Sequence, residues 1–488
     1  MHSLKEPPKL QEFDLIVIGS GSGLDVANAA YQHGLKVAII EKGRMGGTCL
    51  NTGCIPSKLL IHSADVAETI KSAPLFGIDV HGYSVDFQKM IERVNNIIDS
   101  HSDDIKNAFQ GVDNPKLFPK ECKFIGSKTL LVSSKGDSRK DQQNTITADK
   151  ILIAAGTRPR IPNIKGLEES GYITSDEALR LKKQPHTLTI IGGGYIGCEL
   201  AHFFGALGTK INIIQHKDVL IPDEDKEVSE RFTQIFSKKY NVYLDYESEY
   251  VSKKHNDDGN EFHILAKKNS TGESLELVSD QLLIAAGRIP NSDTLDLQKT
   301  GVKVDERNFI KTDMYLETDV KGIFALGDII GRYLFKHSAN HEAKYAFNNL
   351  LHPNKVSVDY SAMPHAIFSS PQIAGVGFKE QELMKEGIQY QKSVYPYMNT
   401  AMGKALEDRD GFVKFLVDKE TRKILGCHII GSQASILIHE VLVAIKAREH
   451  EYRNIIDNDI SGTIDNIINT IHIHPALSEV VARAASNF

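Results

Sequence analysis

Two stretches of the chain share one hydrophobic plan. Residues 13–43 read FDLIVIGSGSGLDVANAAYQHGLKVAIIEKG, and residues 186–217 read HTLTIIGGGYIGCELAHFFGALGTKINIIQHK. Each opens on a continuous apolar run, the pattern of a strand buried on both faces. A Gly-rich turn follows, then a helical segment rich in small residues, then a Gly and a second apolar strand. That is the β-α-β opening of a dinucleotide-binding fold, present twice. ILIAAGTRP (151–159) and LLIAAGRIP (282–290) read as strand ends that turn at Gly156 and Gly287, each near the end of one such unit. The polar stretches 134–147 and 253–260 predict surface hairpins. From about residue 361 the dinucleotide pattern stops. There GFVKFLVD (411–418) and KILGCHIIG (423–431) predict strands, and 434–446 predicts a helix with one apolar face. The expected class is α/β: two Rossmann-like domains followed by an α+β domain, with boundaries at 1–157, 158–285, 286–360 and 361–488.

Composition narrows the partners. The 488 residues carry a net charge of −6, with 41% apolar and 25% charged positions. A nucleic-acid binder would carry a basic excess. The opening MHSLKEPPKLQEF lacks the apolar core of a secretory signal, and no apolar run reaches the roughly 18 residues that cross a bilayer. A cytoplasmic protein without a membrane or nucleic-acid partner is expected.

In the first turn, Gly19 and Gly21 permit a tight bend and close approach of backbone to a pyrophosphate. The helix that follows offers its N-terminal N–H groups to phosphate charge. Glu41, at the end of the second strand, is placed to accept hydrogen bonds from ribose hydroxyls. The third glycine is displaced: position 24 is Leu, and Gly23 stands one place early. Packing of a bare turn would use the same glycines; the flanking strand and helix and the placed acid favour a ligand. The second turn is complete, with Gly192, Gly194 and Gly197. Two turns imply two dinucleotides. At the second ribose position stands Gln215, followed by His216 and Lys217. An acid there favours NAD and an Arg favours NADP; Gln is neither.

The segment GGTCLNTGCIPSK (46–58) sets Cys49 and Cys54 close together among glycines. Were it one continuous helix, the two would lie slightly off one face, and a distorted turn brings the sulfurs to bonding distance. Lys58 supplies a cation that would favour a thiolate. A zinc half-site competes, but it needs two more ligands at similar spacing, and Cys122, Cys198 and Cys427 form no second pair. Those three read as small buried residues, and no metal is expected.

With the two dinucleotide units around it, this segment resembles the flavoprotein disulfide reductases, over residues 13–485. The resemblance implies that 1–157 and 286–360 bind FAD, that 158–285 binds NAD(P), and that 361–488 forms the interface of an obligate homodimer. Cys49 would be the thiol that exchanges with substrate, and Cys54 the thiol beside the flavin. Lys58 would lie near the flavin N5, paired with Glu199. Thr48 and Gly156 would join Gly19, Gly21 and Glu41 as FAD contacts, with Asp328 of TDVKGIFALGD (318–328) on the ribitol chain. Tyr195 would cover the nicotinamide pocket, with Gly192, Gly194, Gly197, Gln215 and Gly287 as further NAD(P) contacts. In IHIHPALSEVV (471–481), His474 would be the base for Cys49, oriented by Glu479, and would reach the cysteines of the other subunit. The apolar helix near 436–445 fits a buried interface.

Residues 428–488 contain no Cys, which disfavours branches that use an extra C-terminal thiol. GCIPSK, GGGYIG and HPALSE resemble the dihydrolipoamide dehydrogenases. GSGSG and HPALSEVV resemble the mycothione reductases, and Lys336 stands where a small residue beside the flavin is usual. The expectation is dihydrolipoamide oxidation with NAD, NADP remaining possible, on a small dithiol or a lipoyl-bearing protein. Reduction of another low-molecular-weight disulfide is the alternative. A low-turnover flavin redox sensor and a flavoprotein oxidase are the readings from other classes.

Overall fold

The computed structural model describes residues 10–133, 144–256, 259–447 and 462–488. Most of the hairpin expected at 134–147 lies outside the described residues, and from Asn144 onward the chain is already a strand, Asn144–Ile153. At 253–260 the two arms are longer than the polar stretch. Tyr246–Asn256 and Gly259–Lys268 pair antiparallel, and 257–258 lie outside the description. Among the described residues no helix is long and apolar enough to cross a membrane.

The chain forms two compact units, both discontinuous in sequence. The first gathers 1–59, 88–160 and 287–359. Its main sheet has Gln11–Ile18 near the middle, paired in parallel with Val37–Ile40 on one side and Asn144–Ile153 on the other. Lys116–Phe118 and Ile323–Ala325 extend the parallel part, and the hairpin Glu121–Gly126/Thr129–Ser133 adds an antiparallel wing. Leu15, Ile16, Val17, Val37, Ala38 and Ile39 are all buried, as strands covered on both faces must be. The strand order reverses at Gln11–Ile18. A crevice at the carboxyl end of such a strand is where open α/β sheets bind ligands, and the first Gly-rich turn stands there.

The second unit gathers 60–87, 161–286 and 360–488. The helical stretch 60–87 thus groups with the second dinucleotide unit and not with the first. Asn241–Leu244, Lys210–Gln215, Thr187–Ile191 and Gln281–Ile284 make a four-stranded parallel sheet. The C-terminal part is a five-stranded antiparallel sheet in the order Pro364–Ile367, Gln372–Gly377, Ile424–Gly431, Phe412–Asp418, Tyr390–Pro396. The helices Ala434–Lys446 and Glu479–Ala485 share a core with it, through Leu437, Ile438, Val441, Val480, Val481 and Ala484. Cys122, Cys198 and Cys427 are buried as expected.

One row across the five-stranded sheet is polar. Register aligns His365, Gly375, His428 and Lys414 on successive strands. Lys414 is 0% exposed. Its ammonium donates to Asp225 Oδ1 at 2.8 Å and to Glu380 Oε2 at 2.6 Å. Burial alone would push both carboxyls up. The surroundings of His428 and Lys414 for Asp225, and of Lys414 and Lys392 for Glu380, outweigh it and hold both below the ordinary range. A lysine stripped of water persists only when paired in this way.

Replacing Lys414 by Met leaves the buried Asp225 carboxylate without its cation, while Glu380 keeps Lys392, and is expected to cost about 3–5 kcal/mol. Urea unfolding at neutral pH measures it. Depressed carboxylates contribute stability above their unfolded pKa of about 4 and lose it as pH falls. The gap between wild type and Lys414→Met therefore narrows as pH drops toward and below about 4.

Candidate functional site

The first turn is tight because it must be. Gly19 has φ +104°, and a Cβ there would lie 2.3 Å from the Ala154 carbonyl oxygen. Gly23, the displaced glycine, opens the helix Gly23–Gln32, and a Cβ on it would meet Val17 at 2.8 Å and Ala154 at 3.1 Å. It therefore does the helix-to-strand packing that the usual third glycine does, one residue early. Gly21 has nothing within 4 Å of where a Cβ would be. That open side is where a pyrophosphate would approach the backbone. The Glu41 carboxylate accepts from Ser20 N (2.9 Å), Ser20 Oγ (2.7 Å) and Gly43 N (2.7 Å). Ser20 Oγ in turn accepts from Gly46 N at 3.0 Å. Glu41 and Ser20 thereby join the Gly-rich turn to the loop that leads into the cysteines.

Cys49 and Cys54 sit on two helices and not on one. Gly47–Asn51 carries Thr48 and Cys49, and Cys54–Ser72 begins with Cys54. The break falls at Thr52 and Gly53, where a Cβ would come within 2.9 Å of the Thr48 carbonyl oxygen. This kink, not a shared helical face, brings the thiols together. Both stand as thiols, and the Cys49 thiol is hydrogen-bonded to Cys54. That bond, then burial, then the charge of Cys54 push Cys49 well above the ordinary thiol range. Cys54 starts a long helix, where a thiolate is favoured. Sequence spacing pointed to Lys58 as the neighbouring cation. Lys58 lies one turn on from Cys54, but the positive charge pulling Cys49 down is Lys336. Lys336 opens the helix Lys336–Leu351 and donates to Ser22 Oγ at 2.8 Å. In the sequence it stands only as a departure from the usual small residue, far along the chain from the cysteines.

Gly156 and Gly287 come together in one two-stranded ribbon, Thr157–Pro159 against Arg288–Pro290. Both glycines have positive φ. Thr157 Oγ1 donates to Asp328 Oδ2 at 3.0 Å, and Arg288 Nε donates to Thr157 Oγ1 at 2.8 Å. Burial pushes Asp328 up, although Arg288 and Thr157 pull the other way.

The second turn repeats the first. Gly192 has φ +115°, and a Cβ there would lie 2.3 Å from the Ala285 carbonyl oxygen. Gly194 is open, and Gly197 packs so closely on the turn that a Cβ would be 2.1 Å from the Gly192 carbonyl oxygen. Gln215 is buried and turned inward. Its Nε2 donates to the Val219 carbonyl at 3.1 Å, and its Oε1 faces Gly193 N at 3.4 Å. It mirrors Glu41 at Ser20, without the charge. His216 and Lys217 are exposed. Tyr195 opens the helix Tyr195–Ala206 and donates to Glu224, and Glu199, on the same helix, accepts from Phe368 N at 2.9 Å.

At the C-terminus, His474 Nδ1 donates to Glu479 Oε1 at 2.9 Å, and Ala476 N donates to Glu479 Oε2 at 3.3 Å. The hydrogen bond from His474 is the main reason that Glu479 is held below the ordinary carboxylate range. With Nδ1–H committed to Glu479, Nε2 is the free basic atom. The His474 side chain is 74% exposed. Its neighbours Ile471 and Ile473 are 97% and 78% exposed, and Ile436 and Val443 on the helix Ala434–Lys446 are also exposed. Large apolar side chains bared beside a basic His mark a surface that another chain covers.

Comparison with known proteins fixes the family. The model of the pyridine nucleotide-disulphide oxidoreductases matches residues 13–343, and that family's dimerisation-domain model matches 363–485. The chain belongs to this family. Mycothione reductase of Mycobacterium tuberculosis is 33% identical over 97% of this chain and 99% of its own length. Dihydrolipoyl dehydrogenase of Chlamydia pneumoniae is 35% identical over 97% and 96%. A solved Cu(II) complex of the HOCl-induced flavoprotein disulfide reductase RclA from Escherichia coli superposes with a TM-score of 0.82, at 25% identity over 98% of this chain and 99% of that one. The pyridine nucleotide-disulphide oxidoreductases use FAD and a nicotinamide nucleotide. The open faces of Gly21 and Gly194, each ahead of a helix N-terminus, fit two such ligands. The dimerisation domain makes the protein a homodimer.

Gly21→Ala separates the fold from the cofactor. No neighbour opposes the new Cβ, so the melting temperature of the apoprotein stays within a degree or two. The methyl group fills the approach to the pyrophosphate, and FAD affinity falls about tenfold or more, a change of about 1.4 kcal/mol. Flavin titration with fluorescence readout measures it.

Proposed function

We propose that this FAD-dependent disulfide oxidoreductase is a dihydrolipoamide dehydrogenase, oxidising dihydrolipoamide, free or on a lipoyl-bearing protein, with NAD. The hydrogen-bonded pair Cys49/Cys54 carries the reading. GCIPSK, GGGYIG and HPALSE, and relatives named dihydrolipoyl dehydrogenase at 33–35% identity, support the substrate.

In this reading FAD, when bound, supplies the two-electron carrier between the dithiol and the nicotinamide. The protein's own residues do the thiol chemistry. His474 of the partner subunit, through Nε2, takes a proton from one substrate thiol. The resulting thiolate attacks the Cys49 sulfur of the oxidised Cys49–Cys54 disulfide and releases Cys54 as thiolate. The second substrate thiol, deprotonated in turn, attacks the mixed disulfide at the substrate sulfur. Lipoamide closes its ring, Cys49 leaves as thiol, and two electrons have moved from substrate to the cysteine pair. Glu479 stabilises the imidazolium at Nδ1 without taking its proton. Lys58 would lie beside the bound flavin, Glu199 would serve the same site, and Asp328 would hold the ribitol chain.

A second reading is reduction of another low-molecular-weight disulfide. The similarity to a mycothione reductase and the Lys336 charge near Cys49 favour it.

Steady-state kinetics decide between them. Rapid dihydrolipoamide turnover with NAD is expected; poor turnover with fast reduction of another disulfide by NADH or NADPH transfers the protein to the second reading. Cys49→Ser is expected to abolish disulfide turnover and keep bound FAD, read from the flavin absorbance of the purified protein. His474→Ala should lower kcat by about 10²- to 10⁴-fold, the usual worth of a positioned base.

A further inference from the structure

Glu224 lies in the loop between the strand Lys210–Gln215 and the helix Lys226–Lys239, and its side chain is fully buried. Its two carboxylate oxygens are divided between two partners. Oε1 accepts the Tyr195 hydroxyl, and Oε2 meets His365 Nε2 at 2.8 Å. His365 stands on the strand Pro364–Ile367 opposite Gly375. A Cβ at Gly375 would lie 2.6 Å from His365 Cε1 and 3.0 Å from His428 Nδ1, so the missing side chain makes the slot in which the ring sits. Burial would push Glu224 up, but His365, Tyr195 and His428 outweigh it and hold it below the ordinary range. A buried anion with both oxygens engaged is costly to leave unpaired, so the phenol that completes its shell is held firmly.

Tyr195 is the first residue of the helix that follows the second Gly-rich turn, one position after the open Gly194. We infer that Glu224, seated by His365, is a positioning residue for Tyr195. It fixes the phenol ring at the mouth of the nicotinamide site and so sets nucleotide affinity from a place that does not touch the nucleotide. This rests on the reading of Tyr195 as the residue over the nicotinamide pocket.

Anaerobic stopped-flow reduction of the FAD-loaded dimer by NADH tests it, with no disulfide present. The apparent Kd and the limiting rate of flavin reduction are measured for wild type, Tyr195→Phe, Glu224→Leu, Glu224→Gln and the double variant Tyr195→Phe/Glu224→Leu. Glu224→Leu is expected to shift Kd about three- to tenfold with the limiting rate within about twofold, as expected when a single hydrogen-bonded contact is lost. Tyr195→Phe should give a shift of similar size, the double variant no further shift, and Glu224→Gln near-wild-type binding. Additive shifts overturn the inference. So does an unchanged Kd in Glu224→Leu. Should Glu224→Leu fail to retain FAD, His365→Gln takes its place in the same cycle, with the same two outcomes. Dihydrolipoamide turnover is assayed separately. Its absence beside a coupled Tyr195–Glu224 pair counts only against the substrate.

Discussion

The redox centre depends on two backbones touching. A Cβ on Gly47 would lie 2.8 Å from the Gly21 Cα, and Gly47 has φ +68°. The missing side chain at Gly47 lets the short helix bearing Cys49 press against the first dinucleotide turn at Gly21. Ser20 and Glu41 then lock the contact, since one carboxylate and one hydroxyl satisfy four donors drawn from both loops. Hydrogen bonds to an ionised acceptor are among the stronger ones a fold can make. The cysteine pair is thus held by the same atoms that shape the phosphate cradle.

The two dinucleotide units solve one steric problem in the same way and differ where charge matters. Gly19 and Gly192 each sit against the carbonyl of an Ala that ends a neighbouring strand. Glu41 and Gln215 each reach back to the residue after that glycine. The neutral Gln leaves the second ribose position without the carboxylate of the first. Around it, the polar loop residues Glu224 and Asp225 serve the C-terminal sheet instead, one meeting His365 and the other Lys414.

Much of this was legible in the sequence. The doubled apolar-glycine-apolar plan foretold both parallel sheets, because a strand buried on two faces has no polar alternation to confuse it. The cysteine pair was equally plain, and the roles of His474 and Glu479 came from the family resemblance of IHIHPALSEVV. Four things were not. The helix break at Thr52–Gly53 depends on Gly53 carrying no Cβ, which would press on the Thr48 carbonyl, and no spacing rule carries that. Lys336 comes to act on Cys49 from a distant segment, whereas spacing points to nearby Lys58. The row His365, Gly375, His428, Lys414 is a matter of strand register, and isolated polar residues in apolar strands do not announce that they align. Gly156 and Gly287 read as the ends of two separate units, but they share one ribbon.

The bared Ile471 and Ile473 beside His474 carry a genetic consequence. If the base serves the other subunit, each centre is assembled from two polypeptides. A gene copy lacking Cys49 and another lacking His474 each encode an inert protein. Co-expressed, they mix, and the heterodimer regains one working centre out of two. Two null alleles of this gene would then complement each other within a single cell.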